Sequence, residues 1–152
     1  MTELELAYMA GFADGEGCFS VVKWSAGYSA RFTVANTYLP TLEQFRKAFG
    51  GKIYLAHNHG KQGYDWILQG PLLPFCLQSL LPYLREKKPQ AELLLEFYEK
   101  FGKQIGSRRR GKYEKIEQEW YYSRLRDLKQ VQSEVEESSP IEVPATQLRL
   151  LA

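Results

Sequence analysis

Apolar positions along this chain repeat with two alternating periods, and the switches between them mark its elements. From Leu6 to Ala13 the pattern reads as a helix, with Thr2 and Glu5 spaced as a capping box before it. Asp14-Gly15-Glu16-Gly17 is then expected to stop that helix and turn the chain. Cys18 to Trp24 and Ser29 to Asn36 alternate with period two and read as a hairpin closed around Ser25-Ala26-Gly27-Tyr28. Phe19, Val21, Phe32 and Val34 share one face, and Ser20, Val22, Trp24, Arg31 and Thr33 share the other. Leu42, Phe45 and Phe49 return to helical spacing after Leu39-Pro40-Thr41, and Gly50-Gly51 ends that helix. A second hairpin follows, Lys52 to Asn58 and Tyr64 to Gln69, with its turn at residues 59–63. Ile53, Leu55, Trp66 and Leu68 make one face; Tyr54, Ala56, Asn58, Asp65, Ile67 and Gln69 make the other.

Pro71 opens a helix through Leu81, and Pro89 another from Lys88 to Phe101. The order helix, hairpin, helix, hairpin, helix, helix predicts an α+β fold: a single antiparallel sheet of four strands with helices on one face. Twist makes the opposite, open face concave. Ile116, Trp120, Leu125, Leu128 and Val131 mark a further amphipathic helix, expected to cover those that back the sheet. From Glu134 the acidic, Ser- and Pro-containing composition reads as a loose tail, giving one domain over 1–133 and a tail over 134–152.

Composition narrows the field only a little. No apolar run is long enough to cross a bilayer, so a membrane partner is not expected. The N-terminus carries no basic-then-apolar leader, and Cys18 and Cys76 form no disulfide framework or metal spacing. An intracellular, reducing compartment is therefore expected, an organelle or a prokaryotic cytoplasm. The net charge of +2 conceals an asymmetry: the tail holds four acids and one base, so residues 1–133 carry 19 bases against 14 acids. A net +5 there permits a nucleic-acid partner without requiring one. His57 and His59 read as turn residues, because no Cys or acid nearby completes a metal site.

Three stretches carry chemistry. Ala7, Ala10 and Gly11 give the first helix a flat face that a second backbone could approach closely. Asp14 and Glu16 would then meet their own copies at a helix–helix seam, where paired carboxylates suit a divalent cation. On the open sheet face, Ser20, Thr33, Arg31, Asn58 and Gln69 are hydrogen-bonding types fit for base edges. Trp24, Tyr28 and Tyr54 could pack on thymine methyls or sugars, with Val22, Asp65 and Ile67 completing the surface. The basic stretch from Gly102 to Lys112, with Arg108, Arg109 and Arg110 in a row, is either a solvated loop or a phosphate clamp.

The run Leu6 to Gly17, Leu-Ala-Tyr-Met-Ala-Gly-Phe-Ala-Asp-Gly-Glu-Gly, resembles the signature of the LAGLIDADG homing endonucleases. Val34-Ala35-Asn36-Thr37 and Pro82-Tyr83-Leu84-Arg85-Glu86-Lys87-Lys88-Pro89-Gln90-Ala91 follow in the family's order. With one copy of the motif, the chain resembles the single-motif, homodimeric branch. The resemblance implies an αββαββα core whose saddle-shaped sheet reads double-stranded DNA. It implies Mg²⁺-dependent hydrolysis that breaks both strands at a long pseudo-palindromic site, in the service of intron homing. By the same resemblance Glu16 is the direct metal ligand, where Asp is commoner, with the carbonyl of Gly15 beside it. Asp14 orients the turn, Lys87 is the active-site lysine, and Asn36 holds water. Ala7, Ala10 and Gly11 form the dimer interface. Two other readings use the same fold: an RNA-binding splicing maturase and a DNA-binding repressor. The retention of Glu16 and Lys87 argues against both.

Overall fold

The computed structural model describes residues 1–25, 27–58, 61–102 and 112–138. Helix α1 (Glu3–Glu16) begins with the expected capping box: Thr2 accepts from the amide of Glu5, and the Glu5 carboxylate accepts from that of Thr2. Strands β1 (Gly17–Trp24) and β2 (Gly27–Asn36) form the first hairpin. Helix α2 (Leu39–Phe49), strands β3 (Lys52–Asn58) and β4 (Lys61–Leu68), and helices α3 (Leu73–Leu80) and α4 (Lys88–Phe97) follow. A π-helical turn, Tyr98–Gly102, extends α4, and α5 (Lys112–Ser138) is the last described element.

The four strands form one antiparallel sheet in the order β1-β2-β4-β3. Its covered face is an aromatic seam. Phe19 stacks on its cross-strand partner Phe32 at 4.4 Å, Phe32 meets Trp66 edge-on at 5.3 Å, and Trp66 lies 5.1 Å from Phe45 of α2. These contacts join three strands and a helix through fully buried rings. The indole N–H of Trp66 donates to the carbonyl of Gly50 at 2.8 Å, tying β4 to the end of α2. Gly50 and Gly51 take positive φ there, as a tight helix-to-strand turn requires.

Four expectations need correction. Asp14, Gly15 and Glu16 do not break α1, which continues through Glu16 and passes into β1 at Gly17 with no loop. Gly17 is extended, at φ −78° and ψ 149°, so close approach rather than a left-handed turn explains the glycine. A Cβ there would lie 2.4 Å from the carbonyl oxygen of Ala13. Second, β4 starts at Lys61, ahead of the expected Tyr64. Third, α5 buries only part of the stripe its spacing suggests, with Leu125 buried and Leu128 half-buried. Gln118, Tyr121 and Leu125 face inward, while Ile116, Trp120 and Val131 are exposed. Long helices with aromatic residues on more than one side leave the buried stripe ambiguous. Fourth, Glu134–Ser138 continue α5, so the tail does not begin at 134; residues 139–152 lie outside the described residues.

The joint between α1 and β1 sets a test. Replacing Gly17 by Ala should cost about 1–3 kcal/mol, because the added methyl meets backbone that cannot rotate away. Gly11→Ala, where nothing lies within 4 Å, should cost the protomer nothing. Urea unfolding of the two variants measures the contrast, and equal midpoints would refute it.

Candidate active site and nucleic-acid interface

The carboxylate of Asp14 reaches across from α1 to the segment that precedes α4. Its Oδ2 accepts from the backbone N–H of Arg85 and its Oδ1 from that of Lys87, both at 2.9 Å. With no turn of its own to orient, Asp14 instead grips a segment more than seventy residues away. With its backbone held, Lys87 turns its side chain back to the α1–β1 joint. There Nζ donates to the carbonyl oxygens of Gly15 and Gly17, each at 3.0 Å. Lys88 is exposed and meets no partner among the described residues. Lys87, unlike its neighbour, is therefore bonded at the α1–β1 joint.

Glu16 stands at the last position of α1, exposed, and its carboxylate has no hydrogen-bond partner among the described residues. It is a hard oxygen donor with both lone-pair edges open, the chemistry that Mg²⁺ or Ca²⁺ accepts. Within one protomer no cluster of three or more His, Cys, Asp and Glu among the described residues could hold a metal. Such a site would be completed by phosphate and water oxygens, or by a second copy of the chain. The carbonyl of Gly15, expected beside Glu16 as a second ligand, is occupied by the Lys87 ammonium. A carbonyl oxygen has two lone pairs, so one of them is left beside the Lys87 bond. Asn36 ends β2, and its Oδ1 accepts from the amide of Tyr38 at 2.8 Å, shaping the entry to α2. Its amide N–H groups remain as donors.

The open sheet face gathers most of the expected contact residues. Cross-strand pairing places Ser20 beside Arg31 and Thr33 beside Ile67, while Asp65 pairs with both Ala35 and Tyr54. Trp24 and Tyr54 are about half exposed, at 56% and 49%. Val22 shares this face, and Gln69 lies exposed just beyond the end of β4. Two enclosed polar atoms here, Nε of Arg31 and Oγ1 of Thr33, have no partner among the described residues. Polar atoms so placed carry a desolvation cost that a ligand's hydrogen bonds could offset. Asn58 is in β3, paired with Lys61, and its side chain lies outside the described residues, as do Arg108, Arg109 and Arg110.

Tyr28 is a correction. Its pairing with Lys23 puts it on the helix side, where its hydroxyl donates to Glu119 of α5 and its ring meets Tyr122. Burial, with help from the Glu119 carboxylate, pushes its phenol above the usual range. It anchors the hairpin instead of facing outward. Ala10 is the other correction: it is fully buried within its own protomer, whereas Ala7 and Gly11 lie exposed beside Leu4, itself 83% exposed. At 3.6 residues per turn, position 10 falls on the stripe of Met9 and Ala13. Sequence reasoning also missed Ser29 and Lys52, which the pairings with Val22 and Ile67 put on the open face. Strict alternation from Tyr54 would have found Lys52.

The family model described as LAGLIDADG endonuclease matches residues 9–84, half of the chain. The chain belongs to the LAGLIDADG endonuclease family. A relative from Chlorella vulgaris, the DNA endonuclease I-CvuI, is 28% identical over 107 residues. That alignment covers 64% of this chain and 66% of the relative. Among solved structures, I-CvuI bound to its target in the presence of Ca is 30% identical, with a TM-score of 0.55. The match covers 66% of this chain and 69% of that one. I-CvuI bound to the I-CreI target in the presence of Mg gives 24% identity, a TM-score of 0.67, and coverage of 83% and 82%. At that identity it speaks for the fold, and it agrees with the four-stranded sheet and its helices.

In this LAGLIDADG chain, the Asp14 bridge is what holds Lys87 against the motif helix. Asp14→Ala should lower stability by about 2 kcal/mol through the loss of two bonds to a charged acceptor. Asp14→Asn, which keeps one carbonyl acceptor, should lose about half as much. Denaturant titration checks both, and an Asp14→Ala chain as stable as the wild type would show that other contacts hold the segment.

Proposed function

We propose that this chain is a sequence-specific DNA homing endonuclease that hydrolyses phosphodiesters with the aid of a divalent cation, Mg²⁺ being the expected ion. The observation that carries the reading is the meeting of two groups at the α1–β1 joint. They are an unpartnered Glu16 carboxylate and the Lys87 ammonium, fixed on the carbonyls of Gly15 and Gly17. Family membership and the DNA complexes of the related I-CvuI supply the context.

Glu16 would hold the cation, which supplies charge neutralisation at the phosphate and readies a water for attack. Lys87 supplies a fixed positive charge where the pentavalent phosphate accumulates negative charge, and its preorganised position avoids a rearrangement cost at that moment. Asn36 offers its free amide N–H groups to water or to a phosphate oxygen. On the open face, Arg31, Thr33, Ser20, Asp65, Tyr54 and Trp24 face the major groove, with donors and acceptors for base edges. With one motif per chain, cutting both strands calls for two copies. Leu4, Ala7 and Gly11 form an exposed strip on α1, with space for a partner helix beside Gly11. A twofold axis there would make the target a pseudo-palindrome.

Selection from a randomised plasmid library with Mg²⁺ should yield a cut site. On that site Glu16→Gln should abolish cleavage while DNA affinity stays within about fewfold, because the carboxylate serves chemistry more than docking. Lys87→Met should slow single-turnover cleavage by about 10²–10³, with Lys88→Met close to wild type. The reverse ranking of the two lysines would remove Lys87 from its role. Sedimentation should find a dimer that Gly11→Leu splits, with loss of cleavage. A monomeric wild type that still breaks both strands at an asymmetric site would refute the twofold arrangement.

A further inference from the structure

Two ammonium groups from separate elements bracket the α1–β1 joint, and neither is paired with a carboxylate among the described residues. Lys87 approaches from the segment before α4 and bonds the carbonyls of Gly15 and Gly17. Lys129 approaches from α5, and its Nζ donates to Sγ of Cys18 at 3.1 Å. A thiol sulfur is a weak acceptor, so the charge and most of the hydrogen-bonding capacity of Lys129 stay uncommitted.

The position is specific. Cys18 is exposed and shares the open face with Ser20 and Val22. Earlier on α5, Glu119 meets Lys23 and Tyr28 on the helix side of the sheet. Further along α5, the side chain of Lys129 reaches the outer edge strand β1 at Cys18. Cys18 is two residues beyond Glu16, so at about 3.3 Å per extended residue their backbones are within roughly 7 Å. Two ammonium groups from separate elements therefore stand at the α1–β1 joint, both bonded only to neutral atoms. Positive charge left uncommitted there is favourable beside a polyanion.

We propose that Lys129 is a second phosphate-binding residue of the reaction centre. It would hold a backbone phosphate beside the one that is attacked, while Lys87 serves the reacting group. The proposal rests on the nuclease reading above. It also gives α5, which lies beyond the residues matched by the family model, a direct part in substrate binding. The phosphate would replace the thiol as the acceptor of the ammonium. It would not take part in bond making or breaking.

The test is DNA affinity as a function of salt, measured in EDTA so that the duplex stays intact. The probes are a duplex carrying the selected site and an unrelated duplex of the same length. Lys129→Met should weaken binding to both by a similar factor and flatten the log–log salt slope by about 0.9 for each copy of the chain on the DNA. Lys129→Arg should restore the slope, which a purely structural role for the lysine would not predict. Lys100→Met, whose lysine already pairs with Glu117, should leave the slope unchanged. A folded Lys129→Met chain with wild-type slope and affinity would overturn the proposal, as would an Arg variant no better than Met. If the wild type binds and cuts DNA while the variants behave alike, only this inference fails. If the wild type neither binds nor cuts, the nuclease reading fails first.

Discussion

One carboxylate ties the end of α1 to the segment that precedes α4. Asp14 satisfies two backbone amides of a segment remote in sequence, and so converts a surface loop into a fixed wall of the joint between helix and sheet. Charge-assisted bonds to backbone donors are well suited to this task, because they fix the chain itself and leave the side chains free. Lys87 can then point at the motif while its own amide is the anchor. The two acids of the motif differ: Asp14 accepts two backbone bonds, and the Glu16 carboxylate has no partner among the described residues.

The sheet serves the same end by different means. Its covered face is nearly all apolar and is locked to α2 through the Phe19, Phe32, Trp66 and Phe45 rings. With that side carrying the stability, the other side can hold polar and charged groups that contribute little to folding. The enclosed, unpartnered atoms of Arg31 and Thr33 show how far this goes. At the hairpin's outer end, α5 takes over as support through the Lys23–Glu119 pair and Tyr28.

Much of this was legible in the sequence. The capping box, the Gly50-Gly51 turn and the two-residue alternation along the strands each rest on local chemistry, and local chemistry can be read from neighbours. The corrections come where a distant element decides. Asp-Gly-Glu-Gly looks like a helix stop, yet α1 runs through Glu16 because tertiary packing outweighs glycine's weak helix propensity. Tyr28 reads as a surface aromatic until α5 supplies Glu119. Ala10 and Gly11 look equivalent as small residues, and only the location of the core separates them. In the sequence Lys87 is set apart from Lys88 by resemblance alone; the Asp14 grip on the Lys87 backbone is a contact that sequence spacing cannot reveal.

The direct passage from α1 into β1 at Gly17 has a consequence for how such a protein can change over time. With no linker between the helix that carries Glu16 and the strand that begins the reading surface, the two move as one rigid part. On the proposed reading, substitutions along the strands would exchange one preferred sequence for another without altering the offset between the position read and the bond exposed to Glu16. An insertion at the joint would rotate every residue of β1 to the opposite side and misalign both at once. New target preferences are therefore accessible by single side-chain changes. On the same reading, a new cutting position would require rebuilding the splice, and the stagger of the break would be the more durable inheritance.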